Sequence, residues 1–128
     1  MKLLLDTCVL IWLPSEPDRI SAIARELMDD RENDLVVSHA SVWEIALRSA
    51  AGKLTLPIPP RAWLAEQRAT WGLEYHPVTL EHILRTGEIH RHHADPFDRL
   101  LICQAIVDGL AILTPDGLFS KYPVHVIW

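Results

Sequence analysis

Short apolar runs that alternate with longer stretches of helical spacing narrow the choice of fold for this chain more than any other feature. The runs at 2–5, 35–37, 74–78, 111–114 and 124–127 read as strands. Between them lie helical patterns: 7–13, ended by Pro14; 21–30, capped by Ser21; one opened by Ser38 or Ser41 and closed near Gly52; 63–72, after the Pro57, Pro59 and Pro60 connector; 80–89; and 96–108, closed by Gly109. Strand and helix in alternation predict a three-layer α/β/α fold around a central, mostly parallel five-stranded sheet. With 128 residues, the chain is expected to form one domain, 1–128.

In such a sheet, sites form beyond the carboxyl ends of the strands, so acids placed there are informative. Asp6 follows the first run directly. Glu44 sits in the helix after the second, Asp98 opens the helix that leads into the fourth, and Asp116 follows the fourth. Each also has a purely structural reading. Asp6 suits the N-cap of the helix that starts at Thr7, and Glu44 suits a capping box with Ser41. Asp116 lies in Thr-Pro-Asp-Gly, a turn sequence in its own right. In Asp95-Pro96-Phe97-Asp98, proline at the first helical position makes Asp95 the N-cap and Asp98 the third helical residue, so Asp98 is the better site candidate.

Four separate caps or turns have no reason to share one sheet edge. Carboxylates crowded there raise one another's pKa unless a cation neutralises them, and an all-oxygen set suits Mg²⁺ or Mn²⁺ better than zinc. Such ions promote phosphodiester hydrolysis by activating water and stabilising the leaving oxygen.

Composition excludes several classes. A formal net charge of −5 argues against a protein that coats nucleic acid through bulk positive charge. It leaves room for a local basic rim: Arg91 and Arg99 beside the site and Arg48, Lys53 and Lys121 around it are candidate phosphate contacts, although any single one reads more readily as a solvated surface charge. The longest apolar stretch, 100–113, is broken by Gln104 and Asp108, and Leu5 passes into Asp6 without a cleavable pattern. The expectation is a cytoplasmic protein with no membrane span. Cys8 and Cys103 read as small buried hydrophobes. His90, His92 and His93 sit in one polar loop, where near-consecutive side chains rarely converge on an ion; the acids explain metal binding better. Trp12, Trp43, Trp63 and Trp71 read as core or partner-contact residues.

The stretches LLLDTCVLIWL, SVWEIALRSAAGKLTLP, HHADPFDRLLICQAI and ILTPDGLFSKYPV resemble, in order and spacing, the PIN-domain ribonucleases, and specifically the VapC-like toxins of type II toxin–antitoxin systems. The resemblance covers essentially the whole chain, and DPFDRLL with an upstream Asp-Thr and Trp-Glu-Ile is a specific combination. It implies a PIN-like fold and Mg²⁺- or Mn²⁺-dependent endoribonuclease activity, with RNA as substrate. The family's acidic quartet falls on Asp6, Glu44, Asp98 and Asp116. Asp6 and Asp98 are then core metal ligands, Glu44 a ligand or water-orienting base, and Asp116 a contributor. Thr7 and Thr114 match family hydroxyl positions. The resemblance also implies a homodimer and a cognate antitoxin laid across a hydrophobic groove into the active site.

Two departures stand out. Pro115 restricts Thr114 to extended geometry, which leaves open whether the fourth carboxylate reaches the metal. Asp95 adds a fifth carboxylate, so its separation from Asp98 rests on helix geometry and motif alignment. Two competing readings remain: a PIN-like scaffold without turnover, and a phosphatase forming an aspartyl-phosphate. The phosphatase needs a second acid two residues after the first, where this chain has Cys8.

Overall fold

The computed structural model describes Met1–Trp128. Its sheet has β1 (Lys2–Leu5) at the centre, then β2 (Asp34–Ser38) and β3 (Glu74–His76) on one side, and β4 (Ala111–Leu113) and β5 (His125–Ile127) on the other. The order is β3-β2-β1-β4-β5, and every pairing is parallel. The helices are α1 (Thr7–Ser15), α2 (Ala22–Asp29), α3 (His39–Ala50), α4 (Pro60–Trp71), α5 (Leu80–Arg85) and α6 (Pro96–Asp108). None is long and apolar enough to cross a membrane.

Why the central strands β1, β2 and β4 are largely apolar follows from the layering. The middle of a parallel sheet is covered on both faces, so successive side chains there are hydrophobic, whereas the edge strand β3 carries Glu74, Tyr75 and His76. Leu3, Leu5, Leu35, Val37, Ala111 and Leu113 join one core with Val9 and Leu10 of α1, Ala24 and Met28 of α2 and Trp63 of α4. Leu4, Val36 and Ile112 point to the opposite face and pack with Leu101, Ile102 and Ala105 of α6 and with Phe119. Each such aliphatic side chain contributes about 1.5–3 kcal/mol by leaving water.

Pro14 does not end the first helix as expected: α1 runs through it to Ser15, the proline falling in the last turn. The fourth helix starts at Pro60 rather than 63. Other boundaries differ from the sequence expectation for physical reasons. The strand expected over 74–78 stops at His76, because Pro77 has no N–H to give the ladder. The helix expected over 80–89 stops at Arg85, and the carbonyls of Thr86, Ile89 and His90 instead accept from the Arg99 guanidinium. Ser38, not Ser41, caps α3, its hydroxyl accepting from the Ala40 N–H at 2.9 Å.

The chain leaves β1 towards β2 on one side and returns to β4 on the other, so β1 and β4 flank a topological switch point. Crevices for ligands open at such points, outside the carboxyl ends of the strands.

Candidate active site

Asp6 begins where β1 ends. Its carboxylate is 7% exposed and caps nothing; Oδ2 accepts instead from the Thr114 hydroxyl at 2.7 Å. Burial raises its pKa, with the Asp116 charge adding to the rise and the Thr114 hydrogen bond opposing it. The N-cap reading of Asp6 is thus replaced by a contact across the switch point. Asp98 stands in the first turn of α6, as the Asp-Pro-Phe-Asp pattern requires, because Asp95 takes the cap: its Oδ1 accepts from the N–H groups of Phe97 (2.8 Å) and Asp98 (3.3 Å). The Asp98 carboxyl is pushed up to about 7, first by burial and then by the charges of Asp6, Asp95, Glu44 and Asp116.

Glu44 projects from α3, half-buried, with its pKa raised by burial and by the charges of Asp95 and Asp6. Arg48, one turn on, lies 3.7 Å from its carboxylate. No capping box forms, because Ser41 lies inside the helix and its hydroxyl accepts from the Thr7 hydroxyl at 2.9 Å. That contact ties the start of α1 to α3 and so fixes Asp6 relative to Glu44.

Asp116 caps the short 3₁₀ turn Gly117–Lys121, its Oδ1 accepting from the Leu118 N–H at 2.9 Å. Its own N–H donates to the Thr114 hydroxyl at 3.0 Å. One threonine side chain therefore joins the first and fourth acids. Pro115 does not carry Asp116 out of the cluster: donor atoms of Asp98, Asp116 and His93 lie within 4.8 Å of one another.

A family model for the PIN domain matches residues 3–124. The chain belongs to the PIN-domain family. It is similar to Ribonuclease VapC22 of Mycobacterium tuberculosis, with 30% identity over 116 residues, 88% of this chain and 85% of that protein. Among solved structures, it resembles VapBC2 from Rickettsia felis bound to a promoter DNA fragment (TM-score 0.72, 16% identity, 99% and 98% of the two chains). It also resembles a toxin–antitoxin complex from Klebsiella pneumoniae (TM-score 0.64, 15% identity, 98% and 96%). At those identities, the structural likeness speaks for the fold.

In this PIN domain the donor set fits a divalent cation. The ion pairs of the chain include Glu44 and Asp116 but neither Asp6 nor Asp98, and these two carboxyls are held up by burial. A cation beside them would relieve both the desolvation and the mutual repulsion.

Two sequence readings need correction. Arg99 is not a free phosphate contact: its guanidinium turns back onto the carbonyls of Thr86, Ile89, His90 and His93, which commits four of its N–H donors to holding the loop before α6. Arg91, by contrast, is exposed. The rings of His90 and His92 lie 6.1 Å apart at the surface, whereas His93 alone turns into the site and meets Asp116 at 2.9 Å. The only signal for it was its position two residues before the Asp95 cap, too local to reveal a partner 23 residues away.

Proposed function

We propose that this PIN domain is an endoribonuclease that hydrolyses RNA phosphodiester bonds, with Mg²⁺ or Mn²⁺ held by Asp6, Asp98, Glu44 and Asp116, and that it acts as the toxin of a type II toxin–antitoxin pair. The observation that carries the reading is the state of Asp98, a carboxyl raised to about 7 by burial and surrounding carboxylates. Such a site is costly to leave without a cation. The all-oxygen chemistry of the acids favours the hard ions. When bound, the ion supplies an activated water and a counter-charge for the leaving oxygen.

The remaining chemistry belongs to the chain's own residues. Asp6 and Asp98, the more buried of the acids, would hold the ion. Glu44, nearer the rim and restrained by Arg48, orients water and takes up its proton. Thr7 and Thr114 act through hydrogen bonds that hold the acids in place. Arg91, Arg48, Lys53 and Lys121 supply positive charge for the RNA backbone. Twofold support comes from the VapC22 relative, named a ribonuclease, and from neighbours solved as toxin–antitoxin complexes.

The same reading includes a cognate antitoxin and a homodimer. Trp43 and Leu47 on α3 and Leu80, Ile83 and Leu84 on α5 are exposed, beside a groove of about 600 Å³ lined by Trp43, Val78, Ile83, Pro96 and Leu100. Apolar surface of this extent on adjacent helices suits a second copy of the chain. Sedimentation checks it; a monomer at micromolar concentration overturns the dimer.

The phosphatase reading is disfavoured. Burial and the Asp6 charge push the Cys8 thiol up to about 12, so it stays neutral where a second acid is required. The deciding experiment is cleavage of a mixed RNA pool by the purified protein with and without Mn²⁺, alongside Asp6→Asn and Asp98→Asn. Metal-dependent cleavage lost in both variants is expected. An inactive parent, or variants as active as the parent, overturns the enzyme reading.

A further inference from the structure

The loop before α6 buries one of its histidines. His93 is 6% exposed, while His90 and His92 remain at the surface. Its ring packs edge-on against Phe119, centroids 4.7 Å apart, and beside Tyr122 at 5.6 Å. Such packing leaves the imidazole few orientations, and the one adopted aims Nε2 at Asp116 Oδ2, 2.9 Å away.

Which nitrogen carries the proton follows from Tyr122. The phenol oxygen accepts the backbone N–H groups of His92 (3.0 Å) and His93 (2.9 Å). Both of its acceptor sites are then occupied, so its own O–H must donate, and His93 Nδ1 lies 3.4 Å away. With Nδ1 as acceptor, the neutral ring carries its proton on Nε2. That nitrogen therefore donates to Asp116 and has no lone pair to offer an ion.

Asp116 is consequently fixed at three points. Oδ2 accepts from His93, Oδ1 accepts from the Leu118 N–H, and the backbone N–H donates to Thr114. Without His93, rotation about the Asp116 Cα–Cβ bond would be limited only by the Leu118 contact. The carboxylate could then swing away from Asp98.

We propose that His93 is a positioning residue, which through a Tyr122–His93–Asp116 chain of hydrogen bonds holds the fourth carboxylate where it helps to bind the divalent ion, and that it is not itself a ligand. This rests on the metal-dependent reading above. The difference from direct ligation is chemical: a ligand must present a nitrogen lone pair, a positioning residue an N–H.

Glutamine places an amide nitrogen near the Nε2 position of histidine, whereas asparagine stops near Nδ1. His93→Gln and His93→Asn are matched in polarity and differ in reach. Mn²⁺ binding is measured by calorimetry on the parent and both variants, with thermal unfolding of each metal-free protein to compare their folds. Outer-sphere partners of metal ligands are typically worth at least tenfold in affinity, so His93→Asn is expected to weaken Mn²⁺ binding about tenfold while His93→Gln stays within about threefold of the parent. A purely structural role would lower the unfolding temperature in both and leave Mn²⁺ affinity unsplit. Electron spin echo modulation of bound Mn²⁺ in the parent is expected to lack the coupling of a directly bound imidazole nitrogen.

Equal affinity in parent and both variants overturns the positioning role and leaves the metal site standing. A direct nitrogen coupling that disappears in His93→Gln overturns it in favour of ligation. A parent that binds no Mn²⁺ overturns the metal-dependent reading itself, and this inference with it.

Discussion

Helix α6 carries an aspartate at each end, and the two are treated oppositely. Asp98, in the first turn, occupies the end where the helix dipole favours negative charge, yet its carboxyl is raised to about 7. Asp108, the last residue, occupies the end that disfavours negative charge, yet its pKa lies below the ordinary value. Burial is the largest single influence on Asp108 and pushes it up, but the hydrogen bonds and charges of His76 and His82 together outweigh it. Both histidines reach the same oxygen, Oδ2, at 2.6 and 2.7 Å. Local partners, not the helix dipole, decide which acid ionises.

Both ends also bring histidine and carboxylate within ligand distance of one another, so geometry alone would pass either as a metal centre. Hydrogen bonding separates them. His82 Nδ1 accepts the Thr79 N–H at 2.9 Å, completing a reciprocal cap on α5, so its Nε2 must carry a proton and donate to Asp108. The C-terminal cluster is a closed set of donors and acceptors that clasps β3 and α5 to α6. The N-terminal cluster has an excess of acceptors. A satisfied cluster stabilises the fold; an unsatisfied one is available for chemistry.

The sharpest way to break this comparison is to neutralise each acid in turn. Asp98→Asn is expected to lower metal-dependent RNA cleavage by about a thousandfold, the scale of several kcal/mol of lost charge stabilisation. Asp108→Asn is expected to leave it close to the parent rate, and equal losses in the two would erase the distinction. Metal addition is the next test. At a hundredfold excess over its dissociation constant, Mn²⁺ is expected to stabilise the parent and Asp108→Asn by about 2.7 kcal/mol, read from urea unfolding. Asp98→Asn is expected to show little of that increment.

Removing the clasp is a smaller effect. Asp108→Ala is expected to destabilise the metal-free protein by about 1.5–3 kcal/mol, the value of hydrogen bonds to a charged group, without changing Mn²⁺ affinity. A variant as stable as the parent would show that the two histidines gain nothing from Asp108.

In the response to pH, the two acids have opposite signs. Between about 4 and 7 the folded, metal-free protein keeps a proton on Asp98 that the unfolded chain has lost, so stability falls as pH rises through that window. Asp108 is lowered, so its contribution is present above the ordinary carboxylate pKa and is lost as pH falls through the folded value. Unfolding midpoints measured across pH should show a weaker first slope in Asp98→Asn, since Asp6 and Glu44 are raised too, and lose the second in Asp108→Ala.

What the sequence disclosed and what it hid divide along the range of the interactions involved. The strands, the Asp95 cap, the placement of Asp98 and the gathering of acids at one edge all follow from period, proline position and topology, which are local or follow from parallel pairing. Arg99 was misread because its partners lie up to 13 residues back along a loop whose path the sequence does not reveal. The Thr7–Ser41 and Thr114–Asp6 hydrogen bonds span 34 and 108 residues. Hydroxyls at such separations look like any other threonine or serine until the strands have paired. His93 was discounted with its neighbours because burial, which singles it out, depends on the packing of Phe119 and Tyr122.

The Thr114–Asp6 bond has a meaning for biosynthesis. A ribosome makes Asp6 and Glu44 early, but the threonine that fixes Asp6, and the acids Asp98 and Asp116, come only in the last third of the chain. Because β1 lies between β2 and β4, its final neighbour is also made late. A chain still being translated, or released prematurely before β4, lacks Asp116 and the bond that orients Asp6. If the protein is the RNA-cleaving toxin proposed here, aborted synthesis yields harmless fragments, and the ribosome that makes it is not exposed to its activity until nearly all of the chain has emerged.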